Sequence, residues 1–325
     1  MTGSAAFTAA VGFDGYVDRI VRIVSDSSAS SKTFFKDIPR FASAVESMAG
    51  KSGDLEFVTE MYRPGGCAPI LAGALAGLGA DVTLIGTISH DVFKSLHPRV
   101  RQVSYGDPSD SLDFEFDDGK IMLADIAQIH DAVMSIQTDR ALMDALKGAY
   151  ATADICILTN WSCIPEMYTL WEIAISEIRK RGDRPVVYMD LADFSKRSSE
   201  DVHKLVDLIN TVSGLESYLG VNEKEAFLLT KKMGATAESV QEASEFVREA
   251  VGCDVVTHGI GYCVYTGKSG QLTVEGKIAE HPIVSTGAGD NFNAAWCYAT
   301  MSGFPKQRAM EFANQFSYDF VRGIL

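Results

Sequence analysis

The chain has no surplus of positive charge: 29 Lys and Arg stand against 43 Asp and Glu, a formal net charge of −14. That balance repels polyphosphate backbones and anionic lipid, so neither nucleic acid nor a membrane surface is an expected partner. Small anions are not excluded, because a few main-chain amides or one lysine reverse the field inside a cleft. The six cysteines, Cys67, Cys156, Cys163, Cys253, Cys263 and Cys297, contain no C-x-x-C pair and are expected to be reduced thiols. Met1 to Ala10 lacks a basic stretch leading into a long apolar run, so no secretory leader is read there. The longest apolar stretch, Ala68 to Ala80, is Gly-rich and falls short of the roughly 20 residues a membrane helix needs. A cytoplasmic protein is the expectation. His90, His97, His130, His203, His258 and His281 show no metal-ligand spacing such as H-E-x-x-H, and only His258 falls in a site-like turn. No G-x-G-x-x-G follows a strand and opens a helix, which disfavours a dinucleotide dehydrogenase.

What is present is 325 residues at 46% hydrophobic, enough for a sizeable core in one large or two ordinary domains. Neither an internal repeat nor a low-complexity linker divides the chain, so a single domain is expected. Short β-rich runs alternate with longer segments of helical period, the pattern of a mostly parallel sheet covered by helices. The second half predicts strands at Ile155 to Thr159, Val186 to Met189, Tyr218 to Val221 and Asp254 to Thr257. Helices are predicted over Glu166 to Lys180, Val202 to Val212, Glu223 to Met233 and Ser239 to Val251, with two more from about Gly287 and Lys306. Trp161, Trp171 and Trp296 read as core or pocket wall. The first half is less regular. After an opening strand near Phe7 to Gly12, the segment Asp107 to Lys120 alternates Leu112, Phe114 and Phe116 with charged residues and turns at Asp118-Gly119. It predicts a hairpin wet on one face, part of a small sheet covering a pocket as a lid.

Four segments carry chemistry. In Ser285-Thr286-Gly287-Ala288-Gly289-Asp290, the small residues Gly287, Ala288 and Gly289 open a helix and let its amides form an anion hole. A carboxylate directly after such a turn would be repelled by a bound phosphate, so Asp290 needs its own role: accepting the proton of an attacking hydroxyl. The helix dipole should favour its ionised form and make it a weak base, which a loose phosphoryl-transfer transition state tolerates. An ordinary tight turn with a helix-start acid is the alternative. Gly65 and Gly66, ahead of a small-residue helix, can present their amides to a substrate hydroxyl, or simply form a turn. Asp14 and Asp18, four positions apart at the end of the first strand, suit the vicinal hydroxyls of a polyol, or belong to a surface turn. Asn222 and Glu225 follow a strand at its carboxyl end, where open α/β sheets place ligands; they can hold a hydrated Mg²⁺, or equally cap a helix with Glu at its third position.

In this order and at these separations, the four segments resemble the ribokinase-like (pfkB) carbohydrate kinase family over nearly the whole chain. Gly65-Gly66, the helix to Gly79 and Val82 to Gly86 look like its N-terminal signature, and Thr286 to Asp290 like its C-terminal Gly-Ala-Gly-Asp signature. The resemblance implies a three-layer α/β/α sandwich with a mostly parallel central sheet. A small β lid would come from roughly residues 18–64 and 100–125. It implies an ATP-dependent kinase acting on a hydroxyl of a sugar or sugar-like molecule. Asp290 would be the catalytic base, and Gly287, Ala288 and Gly289 the hole for the transferred phosphoryl group. Asn222 and Glu225 match an Asn-x-x-Glu motif that organises Mg²⁺ through water. Asp18, and less directly Asp14, would bind substrate hydroxyls beside Gly65 and Gly66. Thr257 and Gly259 would touch nucleotide phosphates, and Asn314 would lie near the base. Where the first signature usually carries a sugar-bonding Asn, this chain has Ile70; where the second usually begins Asp-Thr, it has Val284-Ser285, so no ordinary monovalent-cation site is expected. A nucleoside kinase of the same family and a non-catalytic binding protein retaining the fold are the rival readings. By analogy, the lid edge can pair with a second copy as a homodimer.

Overall fold

The computed structural model describes residues 7–28, 30–280 and 282–325; His281, read above as an imidazole without a metal role, lies outside them. Strand β1 (Thr8–Gly12) runs into the long β2 (Tyr16–Ser27), followed by β3 (Lys32–Phe34), helix α1 (Ile38–Glu46) and β4 (Phe57–Gly65). Then come α2 (Cys67–Gly77), β5 (Asp81–Gly86), β6 (Val100–Ser104), β7 (Ser109–Phe116) and β8 (Gly119–Asp125). Helices α3 (Ala127–Ile136) and α4 (Arg140–Thr152) lead to β9 (Ile155–Leu158), α5 (Met167–Arg179), β10 (Val186–Asp190), α6 (Ser199–Asn210) and β11 (Ser217–Asn222). The chain finishes with α7 (Glu223–Lys232), α8 (Val240–Val251), β12 (Asp254–Gly259), β13 (Tyr262–Gly267), β14 (Gly270–Glu275), α9 (Ala288–Met301) and α10 (Lys306–Val321).

Nine strands form one sheet in the order β14-β13-β12-β11-β10-β9-β1-β5-β6. Seven run parallel, and the β13 and β14 hairpin extends one edge antiparallel. The central strands are buried on both faces, as their unbroken apolar runs require: Ile155, Cys156, Ile157 and Leu158 of β9 are all inaccessible. One apolar cluster joins the sheet to α3 through α8, including Trp161 and Trp171; the other joins it to α2, α9 and α10, including Trp296. This is the expected α/β/α sandwich. The order reverses at β1, whose neighbours are β9 on one side and β5 on the other. Such a reversal opens a crevice at the carboxyl ends of the strands.

The lid is a five-stranded sheet, β3-β2-β7-β8 with β4 also on β2. Its strands come from 16–34, 57–65 and 109–125; residues 100–104, expected in the lid, instead form β6 at the edge of the large sheet. Helix α1 covers one lid face, where Phe41 packs on Phe114 and Phe116. The opposite face of β7, expected to be wet, is not. Ser109, Ser111 and Asp113 are buried there, because this face turns toward the crevice rather than to solvent. Among the described residues no helix is long and apolar enough to cross a membrane. All six cysteines are free.

Candidate active site

The carboxyl ends of β1, β9, β10, β11 and β12 deliver Asp14, Asn160, Asp190, Asn222 and His258 to one crevice. The amino end of α9 faces the same space. Gly287 caps α9 with φ 91°, a backbone region that favours glycine, and a Cβ there would lie 3.1 Å from Ile70 Cγ2. The side chain standing where the family signature has Asn therefore packs against the residue that caps α9. Ala288 N donates to Ser285 O at 3.2 Å, so this amide, expected in the hole, is engaged within the turn; Gly287, Gly289 and Asp290 amides have no partner among the described residues. A cavity of about 730 Å³ opens on Ser285, Ala288 and Gly289, with Asn222, Gly259 and Asn314 also on its wall. His258 lines it as well, its ring 5.0 Å from Phe292; burial pushes the imidazole down to about 4, so it is neutral at physiological pH. A second hollow of about 580 Å³ borders Thr286, Ile70 and Arg63.

Asp290 occupies the first turn of α9 and is half-buried. Burial, and then the charges of Asp190 and Asp14, push its carboxyl well above the usual carboxylate range, while the Cys67 thiol and Lys120 pull it back. The dipole argument from sequence expects the opposite direction. It fails because desolvation by the closed walls and two neighbouring acids outweigh the helix end. Asp190 has no sequence-level assignment, though it is an acid at the carboxyl end of a strand, the same signal that flags Asn222. It accepts from Ala192 N at 2.8 Å and from Asn293 Nδ2 at 2.5 Å, and Tyr188 Oη fixes Asn293 Oδ1 from the other side at 2.6 Å. Burial, followed by Asp14, raises Asp190 to about 6.

Asn222 and Glu225 form a reciprocal capping box: Asn222 Oδ1 accepts from Glu225 N, and Glu225 Oε2 from Asn222 N, both at 2.9 Å. The helix-cap alternative is thus realised, without exhausting Glu225. Burial, and then Asp190, raise its carboxyl to about 8. Two hard oxygen donors fit an ion that keeps several of its waters.

Several expected contacts resolve differently. Asp14 is inaccessible, and its oxygens accept from Cys67 N at 2.9 Å, Ala68 N at 2.8 Å and Asn160 Nδ2 at 2.6 Å. It caps α2 and ties β1 to β9, so its oxygens are engaged rather than offered to substrate. Gly65 and Gly66 leave room for the two acids: a Cβ would stand 1.9 Å from Asp18 Oδ1 at Gly65 and 2.8 Å from Asp14 Oδ2 at Gly66. Thr257 is fully buried, with Oγ1 2.7 Å from Ser244 Oγ on α8. Strand alternation sends its neighbour His258, and not Thr257, to the cavity wall.

Asp18 is 2% exposed and raised to about 7 by burial and then by Asp113. Its Oδ2 faces Arg63 Nε at 3.5 Å. From the start of β8, Lys120 Nζ donates to Thr286 Oγ1 at 2.5 Å, joining the lid to the turn that opens α9. Arg63, Asp113 and Lys120 escape sequence reasoning because three separate strands bring them together.

A parallel sheet reversing at β1, a helix end with unpartnered amides and an acid in its first turn, and a lid bearing a carboxylate define a ribokinase-like carbohydrate kinase, a phosphotransferase with an alcohol as acceptor. Solved structures sharing the fold include adenosine kinase from Sinorhizobium meliloti, with a TM-score of 0.64, 17% identity and coverage of 98% of this chain and 94% of that one. An Escherichia coli structure described as a ribokinase II in complex with ATP and Mg²⁺ has a TM-score of 0.67 and 16% identity, covering 98% and 93% of the two chains. The chain belongs to the prokaryotic ketohexokinase family, which matches residues 5–324. A ketohexokinase of Haloferax volcanii is 24% identical over 321 residues, 96% of this chain and 86% of that protein.

Proposed function

We propose that this chain transfers the terminal phosphoryl group of ATP to a hydroxyl of a ketohexose, with Asp290 as the base. The observation carrying the reading is the union of Asp290 and the unpartnered amides of Gly287 and Gly289 at one helix end, where Gly289 lines the cavity. The amides stabilise charge on the moving phosphoryl group, and the raised Asp290 carboxylate takes the proton as the oxygen–phosphorus bond forms. Asp18 holds a sugar hydroxyl from above, and Lys120 draws the lid onto Thr286, excluding water as a competing acceptor. The nucleotide lies in the larger cavity between Gly259 and Asn314. Asn222 and Glu225 would hold Mg²⁺ through water, and the ion neutralises phosphate charge when bound.

The ketohexose is supported by the family and by the Haloferax relative, which favour a sugar over a nucleoside as acceptor. Exposed Met61 and Tyr62 on β4, with Met122 and Leu123 on β8, give the lid edges apolar surface suited to a second copy of the chain. The test is ADP release with ATP and Mg²⁺ across fructose, other ketoses, aldoses, polyols and nucleosides. Fructose or another ketohexose is expected to give the highest kcat/KM; preference for a nucleoside, or ligand binding without ADP, would overturn the assignment.

A further inference from the structure

The inner face of the lid carries a second buried carboxylate besides Asp18, which is paired with Arg63. The β2–β7 register sets Asp18 opposite Ser111 and Ile20 opposite Asp113, so Asp18, Ser111 and Asp113 share one face. Arg63 lies opposite Asp18 on β4. Asp113 is inaccessible, and its Oδ1 accepts from Ser111 Oγ. Its Oδ2 makes no hydrogen bond among the described residues, nor does Arg63 Nη2, while Asp18 Oδ2 and Arg63 Nε meet only as an ion pair at 3.5 Å, without a hydrogen bond. Buried charged atoms without hydrogen bonds are costly. Two acceptors beside two donors are matched by a molecule that supplies hydroxyl protons and also a carbonyl or ring oxygen.

We propose that Asp113 is a second sugar-binding residue, which with Asp18 and Arg63 grips adjacent hydroxyls and the neighbouring oxygen, supplying the polar grip that the apolar Ile70 cannot. The carboxylate of Asp113 accepts a hydrogen bond from one particular hydroxyl, and Arg63 donates to an oxygen beside it. Ile70 is occupied against Gly287 and offers the sugar no hydrogen bond. The lid strands, rather than α2, therefore set which hydroxyl pattern is accepted.

The inference rests on the sugar-kinase reading, and its test separates the two. Asp113→Asn, which keeps the shape and the Ser111 contact, is compared with wild type on fructose and on analogues each lacking one hydroxyl. Loss of a hydrogen bond to a charged group predicts a fall in kcat/KM of roughly 10–100-fold on fructose, carried mainly by KM, with KM for ATP unchanged. Against the one analogue lacking the partner hydroxyl, variant and wild type should converge. An equal loss on every analogue means a structural role, and no loss on fructose means that Asp113 does not touch the sugar; either result overturns the proposal. Asp113→Ala serves as a second variant, with thermal melts reporting its fold. Should wild type prefer another sugar, the ketohexose assignment falls, and the same comparison on that sugar's deoxy series still decides the role of Asp113.

Discussion

Replacing Lys120 with Met keeps the aliphatic stem and removes the ammonium that joins the lid to Thr286. The interaction removed is a hydrogen bond from a charged donor, about 1.5–3 kcal/mol where water is excluded. Lys120 is only partly buried, which sets the lower end as the expectation, near a tenfold fall in kcat/KM. The substitution has a second signature. Lys120 lowers the carboxyls of both Asp290 and Asp18, so its removal leaves each still higher. Asp290 must be ionised to accept a proton, and the acidic limb of the pH–rate profile should therefore move to higher pH. A coupled ADP-release assay at saturating ATP, run from about pH 5.5 to 9, reads both effects. Unchanged kcat/KM together with an unmoved acidic limb would refute the view that the lid acts on the reacting turn through this side chain.

Asp14→Ala removes three hydrogen bonds to a buried carboxylate at the crossing of β1, α2 and β9. It should lower folding stability by about 3 kcal/mol, measured by urea denaturation, whereas a purely substrate-binding Asp14 would leave the midpoint in place. The raised acids make ligand-free stability depend on pH. Asp18 at about 7, Asp190 at about 6 and Glu225 at about 8 hold protons in the folded chain that the unfolded chain releases near 3.8 to 4.5. Their contribution is full below about pH 4 and is lost as pH rises through these values, so Tm should fall between about pH 5 and 8. Asp18→Asn should flatten that slope, and a slope unchanged in the variant would count against the assigned burial.

Local signals in the sequence are sufficient to mark strand ends and helix starts. Asn222, Glu225 and the Gly287 to Asp290 turn are each contained within one strand–helix junction, and each reaches the crevice. The alternation of Asp113 with Leu112 and Phe114 is legible too. Which face is dry is not, because that depends on the lid folding over a crevice built by distant strands. Asp14 looks like a free carboxylate until α2, more than 50 residues on, brings the amides of Cys67 and Ala68 to it. The expectation at Thr257 misses by one position, an error within the reach of strand alternation. The lid boundary fails at residues 100–104 because a short β-rich run carries no mark of which sheet it will join.

The central claim is that Asp290 takes the proton while neighbouring amides hold the phosphoryl group. Asp290→Asn, assayed for turnover and for sugar and nucleotide binding by calorimetry, tests it most directly. With the base removed, kcat is expected to fall by roughly 10²–10⁴ while both dissociation constants stay within a few-fold of wild type. Near-normal turnover in a folded Asn variant would contradict it.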